Sequence, residues 1–278
     1  MTSETAAVAP KARDYKSDYK PVWCPGCGDF SVLSSITKAF AEIGTPKEDC
    51  AVISGIGCSS RIPAYTSVYG FHGVHGRALP LATGLKVSRP ELNVVATGGD
   101  GDGFSIGGNH FMHACRRNVD MVYVVMDNEV YGMTKGQASP TTAPDWDKSK
   151  LTPHGTGINP FQPLAIALAA GANFIARGFS GDPNGTAKLI AEGMKHPGFS
   201  LIQILSPCVT FRPEQKDWKG MVRPAEIEPT TDIGRAARRL MTDDGFNTGV
   251  LYKGNRNVYR PALEESETVA EVESSFAL

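Results

Sequence analysis

Short apolar, β-branched runs recur at residues 51–54, 92–97, 121–127, 173–176 and 199–205, each too continuous for a strand with one wet face. They read as buried parallel strands. Between them the apolar positions fall at helical spacing, over 31–43 closed by Gly44, then 79–87, 107–117, 163–170 and 186–195, with Asn184 as a cap for the last. Strand and helix in alternation predict an α/β fold with a doubly wound, mainly parallel sheet. Residues 134–162 hold four prolines and three glycines with little periodicity, and are expected to form a long functional loop that covers a site. Beyond Cys208 the chain turns charged and Pro-rich. An amphipathic helix is expected at 232–242 and an acidic, mobile end at 264–278.

Composition adds exclusions. The chain has 278 residues, 41% of them hydrophobic, a formal net charge of −1 and no long block of like charge, so a nucleic-acid partner is not expected. The polar N-terminus lacks the apolar core of a signal peptide and no apolar run is long enough to span a bilayer, so a cytoplasmic, soluble protein without a membrane partner is expected. Its six cysteines should then be reduced, and their spacing speaks for metal or redox chemistry.

The first chemical motif is Gly98-Gly99-Asp100-Gly101-Asp102-Gly103, directly after the run at 92–97 and before a helical pattern. Glycines at the carboxyl end of a parallel strand let backbone amides approach a diphosphate, and a carboxylate there can hold the Mg²⁺ that neutralises it. Asp100 is the metal-ligand candidate. The next strand ends in Asp127-Asn128-Glu129-Val130-Tyr131-Gly132, which brings a side-chain amide to the same sheet edge. Alone, a Gly-Asp-Gly is a turn; the strand before it and the second strand end after it argue for a cofactor.

The second motif is Trp23-Cys24-Pro25-Gly26-Cys27-Gly28, joined by Gly55-Ile56-Gly57-Cys58-Ser59-Ser60-Arg61 and the distant Ser206-Pro207-Cys208. By itself the CxxC pair suits an iron–sulfur cluster, a zinc site or a redox dithiol. Cys50, before an apolar strand, and Cys115, on a helix face, read as small buried hydrophobes, and Trp23, His110 and His113 as packing residues.

Gly99-Asp100-Gly101 followed by Asn128 resembles the signature of the thiamine-diphosphate enzymes. With Cys-Pro-Gly-Cys-Gly, Gly-Cys-Ser-Ser and the late Pro-Cys, and with His72-Gly73-Val74-His75-Gly76-Arg77-Ala78 and Ser139-Pro140-Thr141-Thr142, the chain resembles the β subunits of the 2-oxoacid:ferredoxin oxidoreductases. The resemblance covers residues 23–211, leaving 1–22 as an N-terminal extension and 212–278 as a C-terminal extension packed on the core or on a partner subunit. It implies a thiamine-diphosphate-binding sheet domain, with Mg²⁺ on Asp100, Asn128 and the Val130 carbonyl. Ile56, Gly57, Cys58, His75, Gly99 and Gly101 would lie about the cofactor, and Cys24, Cys27, Cys58 and Cys208 would hold a 4Fe-4S cluster. It also implies coenzyme-A-dependent oxidative decarboxylation of a 2-oxo acid with electrons leaving to ferredoxin. A larger α subunit would supply the pyrimidine-binding domain and its activating Glu, in an α₂β₂ assembly, and the chain alone would be inactive.

One departure bears on substrate. Many pyruvate-oxidising relatives carry Gly-Gly-Gln after the Thr, where this chain has Thr134-Lys135-Gly136-Gln137. If Lys135 points inward it would pair with the distal carboxylate of 2-oxoglutarate; if outward it is a solvated loop lysine. Lys135, Thr134 and Arg77 are the candidates for substrate contact. The rivals are the same chemistry on pyruvate or a branched or aryl 2-oxo acid, and a non-catalytic iron–sulfur electron-transfer subunit. No Gly-x-Gly-x-x-Gly stands in the context a dinucleotide-dependent dehydrogenase requires.

Overall fold

The computed structural model describes residues 9–225, 228–260 and 269–276. After an N-terminal turn, α1 (Asp29–Ile43) leads into β1 (Cys50–Ser54) and β2 (Tyr69–His72). There follow α2 (Ala78–Ser88), β3 (Asn93–Gly99), α3 (Gly108–Arg117), β4 (Met121–Asp127) and the small strands β5 (Val130–Tyr131) and β6 (Gln137–Ala138). Next come α4 (Pro163–Ala170), β7 (Phe174–Phe179), α5 (Pro183–Lys195) and β8 (Phe199–Leu205). The last part holds α6 (Trp218–Met221), β9 (Arg223–Pro224), α7 (Ile233–Thr242), β10 (Asn247–Lys253) and α8 (Val269–Phe276).

Eight strands form one sheet in the order β2-β1-β3-β4-β8-β7-β10-β9, parallel from β2 through β7, with β10 antiparallel to β7. The continuous apolar runs are explained by burial on both faces: every residue of β1, β4 and β8 is buried. One core layer gathers Phe104, Phe111, Leu164, Leu201 and Leu240, the other Val32, Ile36, Phe40, Ile190 and Ile202. The chain leaves β1 for β2 on one side and resumes with β3 on the other. This strand-order reversal opens a crevice at the carboxyl ends, where ligands of open α/β sheets bind.

Several expectations are corrected. The helix expected at 186–195 begins at Pro183, whose missing N–H suits the first helical position, so the cap falls on Asp182, whose side chain accepts from the Gly185 amide. Asn184 instead accepts a bond from Lys38. The helix expected at 107–117 starts at Gly108 as α3, and the glycine motif before it is itself coiled: Gly101–Ile106 forms a wide π turn, with the Gly107 amide bonded back to the Asp102 carbonyl. His110 and His113 are half-buried on α3 rather than in the core. Residues 134–162 are largely irregular, though Gln137 and Ala138 return to pair with Tyr131 and Val130. The amphipathic helix at 232–242 is present as α7, capped by Asp232. β2 and β10 are additions, and β10, with buried Leu251 and Tyr252, makes part of the C-terminal extension a strand of the main sheet. Of the acidic end, residues 264–268 and 277–278 lie outside the described residues; 269–276 form α8.

Candidate functional site

The carboxyl ends of β1, β3 and β4 enclose a cavity of about 190 Å³. Ile56, Gly57, Cys58, His75, Gly99, Asp100, Gly101, Asn128, Val130 and Thr134 all line it. Ile56, Met126, Val130 and Met133 give it an apolar wall. Its floor demands glycine at Gly101, where a Cβ would stand 2.2 Å from Cε1 of Tyr131, whose hydroxyl donates to the Gly101 carbonyl at 3.2 Å.

Asp100 and Asp127 end adjacent parallel strands and are both 2% exposed. Thr141, from the long loop, sets its hydroxyl 3.0 Å from Asp100 Oδ2 and 2.7 Å from Asp127 Oδ1. A hydroxyl has one proton, so it serves one carboxylate at a time. Burial, then the charge of Asp127, pushes the Asp100 carboxyl up to about 8. Such a pair calls for a cation at Asp100. The Asn128 amide donates to Asp100 Oδ1 at 3.4 Å, and the Asn128 side chain accepts from the Val130 amide, so the three residues make one bent loop. Asp127 is tied inward: Gln203 donates to it at 2.7 Å and accepts from Arg177 at 2.9 Å, and Arg177 is paired with Asp243.

Asp102, two residues on, does a different task. Its Oδ1 accepts from the Ile56 amide at 2.9 Å, the Gly76 amide at 2.8 Å and His75 Nδ1 at 2.8 Å. It thereby fastens the β1 loop and the α2 approach to the glycine turn. With Nδ1 so engaged, Nε2 is the ring nitrogen His75 has free for the cavity it lines.

The four cysteines of the paired motifs meet beside this cavity. Cys27 and Cys24 share a turn (amide to carbonyl, 3.0 Å), and the Gly28 amide reaches the Pro207 carbonyl at 3.4 Å. A Cβ placed on Gly132 would lie 3.7 Å from Cys208 Sγ and 3.9 Å from Cys58 Sγ, so those two sulfurs flank one residue. Trp23 packs edge-on against Phe30 and Tyr65, and its indole also donates to the Cys58 carbonyl at 2.7 Å, a partner its sequence context does not reveal. Burial, then the charges of Asp29, Cys208 and Cys24, pushes the Cys58 thiol up to about 11, and burial with Asp29 drives Cys27 up as well. Buried Asp29 itself is raised to about 6 and keeps one oxygen without a partner. Thiols so placed give up their protons to a metal and not to water. Among the described residues no three His, Cys, Asp or Glu side chains converge on a single ion. A four-iron cluster has no such requirement, because each thiolate holds a different iron. Cys50 and Cys115 are fully buried elsewhere.

Lys135 is exposed and Arg77 half-buried, and neither lines the cavity. Arg77 reaches the carbonyls of His75, Gly76 and Ile106 at 3.4 Å each. Thr134 bonds the Gln137 side chain at the cavity mouth. Gln203, Arg212 and Gln215 escape a reading of the sequence, whereas Asp127 and Thr141 stand in the motifs at 127–132 and 139–142, which do not by themselves assign them a role.

Residues 55–204 match the family model of the thiamine pyrophosphate enzyme, C-terminal TPP binding domain. The chain is 46% identical over 267 residues to the 2-oxoacid:ferredoxin oxidoreductase 2 subunit beta of Aeropyrum pernix, covering 91% of this chain and 85% of that one. It is 45% identical over 201 residues to the 2-oxoglutarate oxidoreductase subunit KorB of Mycobacterium tuberculosis, spanning 72% of this chain and 54% of that relative. Among solved structures it is similar to the 2-oxoglutarate:ferredoxin oxidoreductase from Magnetococcus marinus with 2-oxoglutarate, coenzyme A and succinyl-CoA bound. That likeness has a TM-score of 0.86 at 45% identity, over 90% of this chain and 87% of that one.

Proposed function

The chain belongs to the β subunits of the 2-oxoacid:ferredoxin oxidoreductases, and from that premise we propose that it serves, with an α subunit, the coenzyme-A-dependent oxidative decarboxylation of 2-oxoglutarate to succinyl-CoA and CO₂, passing electrons through a 4Fe-4S cluster to ferredoxin. The observation that carries this reading is the cavity at the β1/β3 reversal, shared by a buried carboxylate wanting a cation and by Cys58, one of four gathered cysteines.

When bound, thiamine diphosphate supplies the carbanion and electron sink that decarboxylation needs, and a cluster supplies one-electron steps. In this chain Asp100, the Asn128 side chain and the Val130 carbonyl would hold Mg²⁺, and the backbone at 99–101 and 56–58 would approach the diphosphate. Thr141 can turn its proton to Asp127, which frees Asp100 Oδ2 for the cation. Buried Met126 and Val130 would keep water from the inner end of the cavity, while Ile56 and Met133 are exposed at its rim. Cys24, Cys27, Cys58 and Cys208 would hold the cluster, with Cys58 as the shared wall between the two groups.

The carboxylates lining the cavity are Asp100, which the cation would occupy, and Asp102, whose Oδ1 accepts three bonds and whose Oδ2 is buried, so neither offers an open oxygen to an aminopyrimidine. That supports an activating Glu from an α subunit, in an α₂β₂ assembly. The likeness to the 2-oxoglutarate:ferredoxin oxidoreductase from Magnetococcus marinus supports the choice of 2-oxoglutarate; Lys135, exposed and outside the cavity lining in this chain alone, would share in that choice only through a pocket that the α subunit completes. No helix among the described residues is long and apolar enough to cross a membrane.

The test is a complex of this chain with its α subunit, assayed for thiamine diphosphate, iron and coenzyme-A-dependent reduction of a viologen dye on 2-oxoglutarate and pyruvate. Both cofactors and a preference for 2-oxoglutarate are expected, and Lys135→Gly should shift that preference toward pyruvate. An unchanged preference would remove Lys135 from the argument, and a complex without thiamine diphosphate would leave only an electron-transfer role.

A further inference from the structure

The segment after Cys208 stays outside the cavity wall yet grips the metal loop from behind. It curls back on itself, with the Arg212 amide on the Cys208 carbonyl and the Gln215 amide on the Arg212 carbonyl, each at 2.9 Å. Arg212, 5% exposed, donates to the Glu129 carbonyl at 2.9 Å, pairs with the Glu129 carboxylate at 3.1 Å and lies 4.5 Å over the Trp146 ring. Glu129 needs such a hold, because its φ of 53° is a left-handed conformation that glycine, without a Cβ, would take more cheaply.

Gln215 goes further. It is 1% exposed; its Nε2 donates to the Asn128 carbonyl at 2.8 Å and its Oε1 accepts from the Cys208 amide at 2.9 Å. The orientation of this amide is not ambiguous, since a backbone N–H only donates and a carbonyl only accepts. One buried side chain thus spends both ends on two backbone atoms 80 residues apart in sequence, one in the Mg²⁺ candidate loop and one in a cluster-ligand candidate. Neither backbone atom has another partner among the described bonds, so loss of Gln215 leaves both unpaired.

We infer that Gln215 is a positioning residue common to both cofactor sites, holding the Asn128 loop and the Cys208 loop in one register. The inference rests on the reading that Mg²⁺–thiamine diphosphate and a cluster both bind here, and it adds that the two sites are mechanically one. Thr142 supplies the contrast: its hydroxyl donates to the Glu129 carbonyl at 2.7 Å and so braces the metal loop without touching the cysteine loop.

The experiment uses the assembled complex and two readouts, calorimetric affinity for Mg²⁺–thiamine diphosphate after cofactor depletion, and the EPR spectrum of the reduced cluster. Gln215→Met should weaken the cofactor by about 10–100-fold, the range for loss of a residue that orients a ligand, and should also alter the EPR line shape. Thr142→Val should weaken the cofactor and leave the spectrum as in the unsubstituted complex. If Gln215→Met prevents assembly, Gln215→Asn, one methylene too short to reach both partners, carries the same expectations. A Gln215 variant that retains its cluster and moves one readout or neither overturns the inference while the functional reading stands. An unsubstituted complex that binds only one of the two groups overturns the functional reading and this inference with it.

Discussion

Gly55→Ala tests how the cofactor cavity is built. Gly55 has no positive φ, so alanine meets no backbone penalty, and the cost is purely one of space. A Cβ there would stand 2.0 Å from Asp102 Oδ2 and 2.5 Å from its Cγ and Oδ1, all three nearest atoms belonging to one buried carboxylate. The carboxylate cannot retreat freely, because Ile56, His75 and Gly76 all hold its Oδ1. Moving it forfeits one or two hydrogen bonds to a charged group, at about 1.5–3 kcal/mol each, on top of an overpacking cost of about 1–3 kcal/mol. With one hydrogen bond lost the penalty is about 2.5–6 kcal/mol, and since about 1 kcal/mol corresponds to roughly 2–4 °C in Tm at this domain size, Tm falls by about 5–24 °C. Scanning calorimetry on the complex measures this, and a double-mutant cycle isolates the cause: in an Asp102→Ala background the alanine at position 55 should cost little. Equal penalties in the two backgrounds would refute the argument, because they would show that Asp102 is not what the alanine strikes.

Further outcomes can be checked directly. Cys208→Ala should abolish the cluster, seen in iron content and EPR, whereas Cys50→Ser, at a buried site away from the four gathered cysteines, should retain it. Thr141→Val should reduce Mg²⁺ affinity by about 10–100-fold in titration calorimetry, as expected for a group that orients a metal ligand. The cation-free fold should respond to pH through Asp100, whose carboxyl is held up to about 8 in the folded chain by burial and Asp127, against about 3.9 when unfolded. The folded state therefore binds the proton more tightly, and this contribution to stability is present in full below about pH 4 and lost as pH rises through about 8. Mg²⁺ must displace that proton, so its stabilising effect on Tm should be larger at pH 8 than at pH 6, and equal shifts would contradict the role given to Asp100.

The sheet was legible because its strands are buried on both faces. A run such as Met121–Asp127 has no wet side to dilute it, and the turn residues that follow each run fall where the crevice opens. The glycine motif, Asn128 and the paired cysteine motifs were legible for the same reason: each is a local string whose spacing the chemistry constrains. β2 was not, since all four of its residues are exposed at the sheet edge, and neither was β10, whose first four positions are only half-buried. Asn184 misled because a polar residue near a helix start is a common cap, while Pro183 at the first helical position had already fixed the cap on Asp182.

The amino-acid sequence by itself determined the class of fold, the edge of the sheet that carries the chemistry and the residue types that meet there, because strand burial and motif spacing are local properties. Only the tertiary structure decided which of those residues act on one another. Thr141 stands between Asp100 and Asp127, Asp102 fastens His75, and Gln215 joins Asn128 to Cys208. These partners lie on separate strands and loops, and the order of the strands, not their composition, brings them within the 3 Å reach at which a hydrogen bond forms.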